Sequence, residues 1–148
     1  MKEYQPIDIL IVEDNPHDVE LTLRSLKKQN LANNIFVAED GVNALDFIFC
    51  RNEYAGRNIS QVPRVILLDL KLPKVNGFEV LSAIKKDERT KFIPVVIVTS
   101  SNQDPDIKTA YALGANSYVV KPVDFESFSE AVTRLGLYWL LINKPANG

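Results

Sequence analysis

The sequence predicts an α/β fold organised around a doubly wound parallel sheet, and two patterns support this prediction. First, four apolar residues run without alternation at positions 65–68, between Pro63 and Pro73. A short continuous apolar run of this kind indicates a strand that is buried on both faces. Second, strand and helix patterns alternate along the whole chain, which is typical of βαβ units. Five strands and five helices in strict alternation favour the sheet order 2-1-3-4-5.

Local signals predict the individual elements. Asn15 and Pro16 have the residue types of a helix cap and a first helical position, and Gly114 is suited to a helix end. The segment 52–62, NEYAGRNISQV, is too polar for the core, and a tolerated insertion is favoured over a role in partner choice. Residues predicted to face inward on the first and fourth helices are Val19, Leu23, Leu26, Ile107, Ala110 and Tyr111. The predicted strands cover residues 7–12, 34–38, 65–68, 95–98 and 117–120.

The composition is that of an ordinary globular domain. The chain has 148 residues, of which 46% are hydrophobic and 24% charged, so a single domain over residues 1–148 is expected. Its 17 basic and 19 acidic residues include no basic block, which argues against nucleic-acid binding. No apolar run is long enough for a membrane span, and the polar start lacks a signal-peptide core, so a cytoplasmic location is expected. The lone Cys50 is predicted to be a small buried residue on a helix.

Polar and charged side chains stand at the ends of four predicted strands. Glu13 and Asp14 follow the first strand, Asp69 the third, Thr99 the fourth and Lys121 the fifth. Parallel strands end at a common edge of the sheet, and this edge is where open α/β sheets bind ligands. The topology therefore predicts that three carboxylates, one hydroxyl and one ammonium share a crevice.

This set of side chains favours phosphoryl chemistry. Clustered carboxylates repel one another, and a hard divalent cation such as Mg²⁺ is the simplest compensation. A phosphoryl group on Asp69 would then meet the metal, the Lys121 ammonium and the Thr99 hydroxyl, which together neutralise the charge of its oxygens. Asp69 is accordingly predicted to be a nucleophile that forms an aspartyl phosphate.

The same residues, with Pro73 and Gly77 after Asp69 and Pro122 after Lys121, resemble the receiver domain of two-component response regulators. The resemblance covers about residues 6–135 and implies a flavodoxin-like fold. It also favours a cis peptide bond before Pro122. Leu72, at a position where Met is frequent in the family, is a harmless departure.

The resemblance implies a role for each site residue. Asp69 would be the phosphoacceptor, and Lys121 and Thr99 would contact the phosphoryl group. Mg²⁺, or Mn²⁺ in its place, would be held by Glu13, Asp14, Asp69 and the backbone carbonyl of Lys71. Thr99 and Tyr118 would move together as the switch. Lys71 and Ser101 are at positions that vary in the family and tend to set the phosphate lifetime, which stays open.

By the same resemblance, the chain would take its phosphoryl group from a sensor histidine kinase and signal to an unidentified downstream protein. It would catalyse its own phosphotransfer and slow dephosphorylation without being an enzyme in the usual sense. The GLYWLLIN sequence at 136–143 and the long segment 52–62 are similar to those of stand-alone regulators that serve bacterial phytochrome histidine kinases.

The C-terminal helix predicted over residues 124–143 is unusually apolar. One stripe repeats at helical spacing, and further apolar residues cover the other faces. A homodimer through helix 4, strand 5 and helix 5 is therefore expected, and the alternative is that the tail folds back onto its own domain. The predicted interface residues are Leu137, Tyr138, Trp139, Leu140 and Leu141.

Three other functions compete with this prediction. A flavin or nucleotide carrier is disfavoured because its phosphate loop would be EDNPHD, whose carboxylates repel phosphate. A phosphohydrolase like those of the haloacid dehalogenase family would have an Asp at position 71, where this chain has Lys71. A degenerate receiver is disfavoured by the complete set of site residues. His17, the only histidine, is predicted to be a surface residue rather than a phosphohistidine or a metal ligand.

Overall fold

Parallel strands and helices alternate in the computed structural model, which describes residues 7–28 and 34–121. The strands are β1 (Ile9–Val12), β2 (Ile35–Ala38), β3 (Val65–Leu68), β4 (Val95–Thr99) and β5 (Ser117–Val120). The α-helices within the described ranges are α1 (Pro16–Lys28), α2 (Gly41–Ile48), α3 (Gly77–Lys86) and α4 (Asp104–Ala112). The predicted fifth helix, residues 124–143, lies outside the described ranges.

The five strands form one parallel sheet in the order β2-β1-β3-β4-β5, as the sequence predicts. The central strand β3 is buried along its whole length, because helices cover both faces of the sheet. Val12 lies opposite Leu68, and Thr99 lies opposite Val120. The residues that follow these strand ends are consequently delivered to one edge of the sheet.

Side-chain caps begin three of the helices at this same edge. Asn15 Oδ1 accepts hydrogen bonds from the backbone N–H groups of residues 17 and 18, at 2.9 and 3.2 Å. Asp40 Oδ1 accepts from Asn43 N at 2.7 Å, and Asn76 Oδ1 accepts from Glu79 N at 3.0 Å. Each bond satisfies an N–H group that the first helical turn leaves without a partner. The caps therefore fix the loops around the crevice.

The inward faces of the helices agree with the sequence at most positions. Leu26 of α1 and Ala110 of α4 are fully buried, whereas Val19 and Leu23 are half-buried. The prediction for Tyr111 is wrong, since this residue is 50% exposed. Tyr111 follows Ala110 and so lies about 100° further around the helix, away from the buried side.

The prediction that segment 52–62 lies outside the core is correct for most of its residues but wrong for Tyr54 and Arg57, which are buried. Its first residues form a short 3₁₀ turn (Asn52–Tyr54), and the Tyr54 side chain is buried. The Tyr54 ring packs edge-on against Phe36 and Phe47, and its hydroxyl donates a hydrogen bond to Asn43 Oδ1 at 2.8 Å. The segment thus contributes an aromatic side chain to the core beside β2 and α2.

Arg57 ties the rest of this segment to the domain. Its guanidinium lies 3.8 Å from the centre of the Phe47 ring and donates to the backbone carbonyl of the same residue. A further N–H donates to Gln61 O at 3.0 Å. An arginine that stacks on a ring while it satisfies carbonyls is a structural clamp. A freely tolerated insertion would not need such a clamp.

Cys50 is not a helical core residue, so that prediction is wrong as well. It is partly exposed and has a positive φ of 56°, directly after the residue that ends α2. Arg57 Nη1 lies 3.6 Å from its sulfur. A left-handed conformation is unfavourable for most residues other than glycine, and here it turns the chain away from the helix.

Gly77 allows α3 to begin very close to the end of β3. A Cβ atom at this position would lie 2.2 Å from the Asp69 carbonyl oxygen, and the Gly77 N–H donates to Leu70 O at 2.9 Å. Only glycine permits this approach without a shift of the backbone. Among the described residues, no helix is long and apolar enough to cross a membrane.

Candidate functional site

The carboxyl edge of the sheet brings together the five residues that the sequence placed there. Glu13, Asp14 and Asp69 each offer a carboxylate oxygen, and these oxygens all lie within 4.8 Å of one another. Glu13 and Asp69 are buried, whereas Asp14 is exposed. Thr99 and Lys121 complete the site from β4 and from the residue after β5.

Lys121 is the central cation of this site. Its ammonium donates to Glu13 Oε1, to Asp18 Oδ2 at 2.8 Å and to Asp69 Oδ2 at 3.0 Å. The Lys121 side chain is only 11% exposed. An ammonium has three N–H groups, and here each has a carboxylate partner. Lys121 therefore balances much of the negative charge of the cluster.

Burial and charge shift the pKa values of these groups in opposite directions. Burial raises the pKa of Glu13 to about 7, only partly offset by its hydrogen bond from Lys121. Burial alone would also raise the pKa of Asp69, but the charge of Lys121 and its hydrogen bond hold that pKa below its usual range. For Lys121, burial is outweighed by hydrogen bonds to Asp18 and Glu13, and its pKa is raised. Asp69 is therefore ionised at neutral pH, as a nucleophile must be.

Thr99 and Tyr118 occupy the β4 and β5 side of the site. The Thr99 hydroxyl is fully buried and makes no hydrogen bond with the described residues, although it lies near enough to Asp69 to help lower the pKa of that carboxyl. Tyr118 is half-buried, and its hydroxyl donates to the backbone carbonyl of Ser101 at 2.9 Å. A buried hydroxyl without a full hydrogen bond is costly, which favours a ligand atom beside it.

Asp69 is held by the backbone as well as by Lys121. Its own N–H donates to Val12 O at 3.1 Å, and its Oδ1 accepts from Lys71 N at 3.3 Å. Lys71 itself is exposed, whereas Asp69 is buried. The metal-binding role of the Lys71 carbonyl stays a prediction.

The donor set suits a hard divalent cation. The three clustered carboxylates offer only oxygen ligands, and the raised pKa of Glu13 shows that burial makes a third negative charge costly. Mg²⁺ and Mn²⁺ prefer oxygen ligands and keep open positions for water or phosphate. These residues therefore fit either ion.

Asp18 is the site residue that the sequence reasoning missed. It lies in the first turn of α1, four residues after Asp14, and contacts Lys121 as closely as a good ion pair allows. The strand-end rule finds residues that follow strands, so a carboxylate one helical turn further on escapes it. His17, the neighbouring residue, is exposed, as predicted.

Other predicted features lie outside the described ranges. These are the peptide bond before Pro122 and the proposed interface residues Leu137, Tyr138, Trp139, Leu140 and Leu141.

Comparison with known sequences gives the family. The model of the response regulator receiver domain matches residues 9–133. A probable methanogenesis regulatory protein, FilR2 of Methanothrix harundinacea, is 42% identical over 139 residues, which cover 94% of this chain and 87% of the relative.

Two solved structures are similar along nearly their whole length. The Mn²⁺-bound form of response regulator Rcp1, a Synechocystis protein, superposes with a TM-score of 0.86 at 34% identity, covering 95% of this chain and 99% of that one. The phosphorylated cyanobacterial phytochrome response regulator RcpA gives a TM-score of 0.88 at 32% identity and covers 96% and 99%. With its match to the family model over residues 9–133, its five-stranded sheet and its acidic cluster, the chain belongs to the family of response regulator receiver domains.

Proposed function

We propose that this chain accepts a phosphoryl group on Asp69 from a phosphohistidine of a sensor kinase and passes the signal on by protein contacts. The observation that carries the proposal is the position of Asp69. This carboxylate directly follows the central strand, is ionised, and lies within reach of both Lys121 and the Glu13–Asp14 pair.

The transfer follows from simple bond changes. An oxygen of the Asp69 carboxylate attacks phosphorus in line with the leaving nitrogen, so an O–P bond forms as the N–P bond breaks. The electron pair of the broken bond stays on the imidazole of the donor, which takes up a proton. Lys121 keeps one N–H directed at Asp69 and is placed to neutralise the transferred oxygens. The Thr99 hydroxyl, buried beside Asp69, supplies a further donor.

A divalent ion, Mg²⁺ or Mn²⁺, belongs to the same proposal. Bound at this site, it would neutralise both the carboxylates and the phosphoryl oxygens. Glu13, Asp14, Asp69 and the Lys71 carbonyl are the proposed ligands, of which the three carboxylates lie together. Slow self-catalysed dephosphorylation is also proposed, because Lys71 stands beside the acceptor where a phosphohydrolase would need a carboxylate.

The signal is proposed to leave the site through Thr99 and Tyr118. Phosphorylation would engage the buried Thr99 hydroxyl and draw β4 towards Asp69. The Tyr118 hydroxyl is bonded to the Ser101 carbonyl directly after β4, so it would feel that change. The result is a shift in the populations of two arrangements rather than a new fold.

A bacterial phytochrome is the proposed class of sensor kinase, since similar solved proteins include a phytochrome response regulator. A cytoplasmic location belongs with this proposal, because ATP-dependent kinases work there.

We also propose a homodimer through helix 4, strand 5 and helix 5, with residues 137–141 at its centre. Light scattering of Trp139→Asp against the wild type tests the dimer, and an unchanged monomeric mass in both would reject it.

Intact mass spectrometry tests the central claim. The protein is incubated with a small phosphoramidate donor, with Mg²⁺ or with chelator, as wild type and as Asp69→Asn. We expect one labile phosphoryl adduct that requires both Mg²⁺ and Asp69. Asp104→Asn, an exposed aspartate at the start of α4, is the matched control and should be phosphorylated like the wild type. An adduct that persists in Asp69→Asn, or no adduct at all, would reject the proposal.

A further inference from the structure

Asp18 stands apart from the other carboxylates around Lys121. The oxygens of Glu13, Asp14 and Asp69 form the cluster that suits a metal, and Asp18 is not part of it. Its contact within the site is the ion pair with Lys121 at 2.8 Å. The Asp18 side chain is 25% exposed and reaches the ammonium from the first turn of α1.

The Lys121 ammonium would lose partners when the site is loaded. Glu13 and Asp69 would turn towards a bound metal ion, and phosphorylation would convert an Asp69 oxygen into a P–O–C link. Asp18 would then be the carboxylate that still holds Lys121. A lysine side chain has four rotatable bonds, so an ammonium without an anchor loses its fixed direction. Asp18 provides such an anchor on a capped helix.

We propose that Asp18 is a positioning residue, which holds the Lys121 ammonium against the oxygens of the phosphoryl group while that group is transferred to Asp69. This inference rests on the proposed function and adds a residue to it. Asp18 would act through Lys121 alone and would touch neither metal nor phosphoryl group. It should therefore affect the rate of the chemical step more than the binding of Mg²⁺.

Rapid-quench kinetics with a small phosphoramidate donor test this role without any kinase contact. In Asp18→Asn we expect the rate at saturating donor to fall about tenfold, the loss typical of one charge-assisted hydrogen bond. The Mg²⁺ dissociation constant should change by less than about twofold, because the partly exposed Asp18 carboxylate is not one of the proposed metal ligands and its charge is screened by solvent. Asp18→Glu should recover most of the rate. Glu20→Gln, which removes an exposed carboxylate from the same helix, is the control and should behave like the wild type.

Two readouts separate positioning from a structural role. Urea unfolding reports whether a variant is folded. The ¹⁵N signal of the Lys121 ammonium reports how well its hydrogens are bonded, and these hydrogens should exchange with water faster in Asp18→Asn. Asp18→Ser repeats the test with a side chain suited to a first helical turn. An unchanged or higher rate in either folded variant, or a rate loss matched by weaker Mg²⁺ binding, would reject the positioning role alone. Failure of the wild type to form any adduct would reject the proposed function as well.

Discussion

Two partly buried ammonium groups in this domain have opposite surroundings. Lys121 is bonded to three carboxylates, and its pKa is raised, because these bonds outweigh burial. Lys85, near the end of α3, donates instead to neutral oxygens, namely Lys91 O at 3.1 Å, Ile93 O at 2.7 Å and Asn116 Oδ1 at 3.0 Å. Burial lowers the pKa of Lys85. One cation balances charge, and the other joins backbone segments.

The difference shows what makes a buried cation available for chemistry. Carbonyl oxygens have no alternative partners when a ligand arrives, so Lys85 keeps its contacts and holds α3 to the loops before β4 and β5. Carboxylates can transfer their interaction to a metal ion, which frees the ammonium for a phosphoryl oxygen. The Lys121 site is thus exchangeable, whereas the Lys85 site is fixed.

The largest expected effect is the loss of phosphotransfer in Lys121→Gln. Removal of the ammonium takes away the donor that faces Asp69 and should slow adduct formation by at least about a hundredfold. Lys85→Met should change this rate by no more than about twofold, because Lys85 lies at the opposite edge of the sheet. The measurement is adduct formation by intact mass over time. Equal rate losses in both variants would contradict the contrast between the two lysines.

The second prediction concerns the pH dependence of stability without metal. The pKa of Glu13 is about 7 in the folded protein and 4.5 as an ordinary value, so the folded state holds more protons between these pH values. Stability should therefore fall as the pH rises from about 4.5 to 7, by up to about 3 kcal/mol. Urea unfolding in chelator measures this slope.

Glu13→Gln provides the control for this slope, because its amide does not titrate. The slope should flatten in this variant, and excess Mg²⁺ should stabilise the wild type at pH 7 by mass action. A wild-type slope that is unchanged in Glu13→Gln would assign the titration to another group.

The smallest effect is expected for the fixed cation. Lys85→Met leaves three oxygens without their donor and should lower the free energy of unfolding by about 2 kcal/mol. Lys86→Met, at the exposed neighbouring position on the same helix, should change it by less than about 0.5 kcal/mol. Urea unfolding of both variants measures this difference. Similar losses of unfolding free energy in the two would mean that the hydrogen bonds of Lys85 contribute little to stability.

The sheet and most of the site could be predicted from the sequence, because the strands have a clear apolar pattern and the site residues lie at the strand ends. Buried runs such as 65–68 identify the strands, and the topology then places Glu13, Asp69, Thr99 and Lys121 at one edge. Asp18 could not be found in this way, because its approach to Lys121 depends on the direction of a helix relative to the sheet. Such a distance is set by packing rather than by periodicity.

The errors around the second helix have a similar physical cause. Tyr54 and Arg57 are buried although their segment is polar in composition. The stacking of Arg57 on the Phe47 ring could not be predicted, because such a contact produces no periodic pattern in the sequence. The sequence around Cys50 contains no glycine or proline that would mark the end of α2 before this residue. Cys50 has a positive φ and lies just before the segment that returns to the core through Tyr54.

The clamp formed by Arg57 has a practical consequence for attaching a reporter to this protein. The residues before Arg57 include Tyr54, whose ring packs against Phe36 and Phe47, and a tag inserted there would disrupt these aromatic contacts. The tip at residues 58–60 is different, because Asn58 and Ser60 are exposed and bond mainly to each other. This tip lies where the chain enters β3, at the edge opposite Asp69. A fluorescent label on Ser60→Cys should therefore leave phosphotransfer at Asp69 unchanged. Cys50 must first be replaced, so that only the new cysteine is labelled.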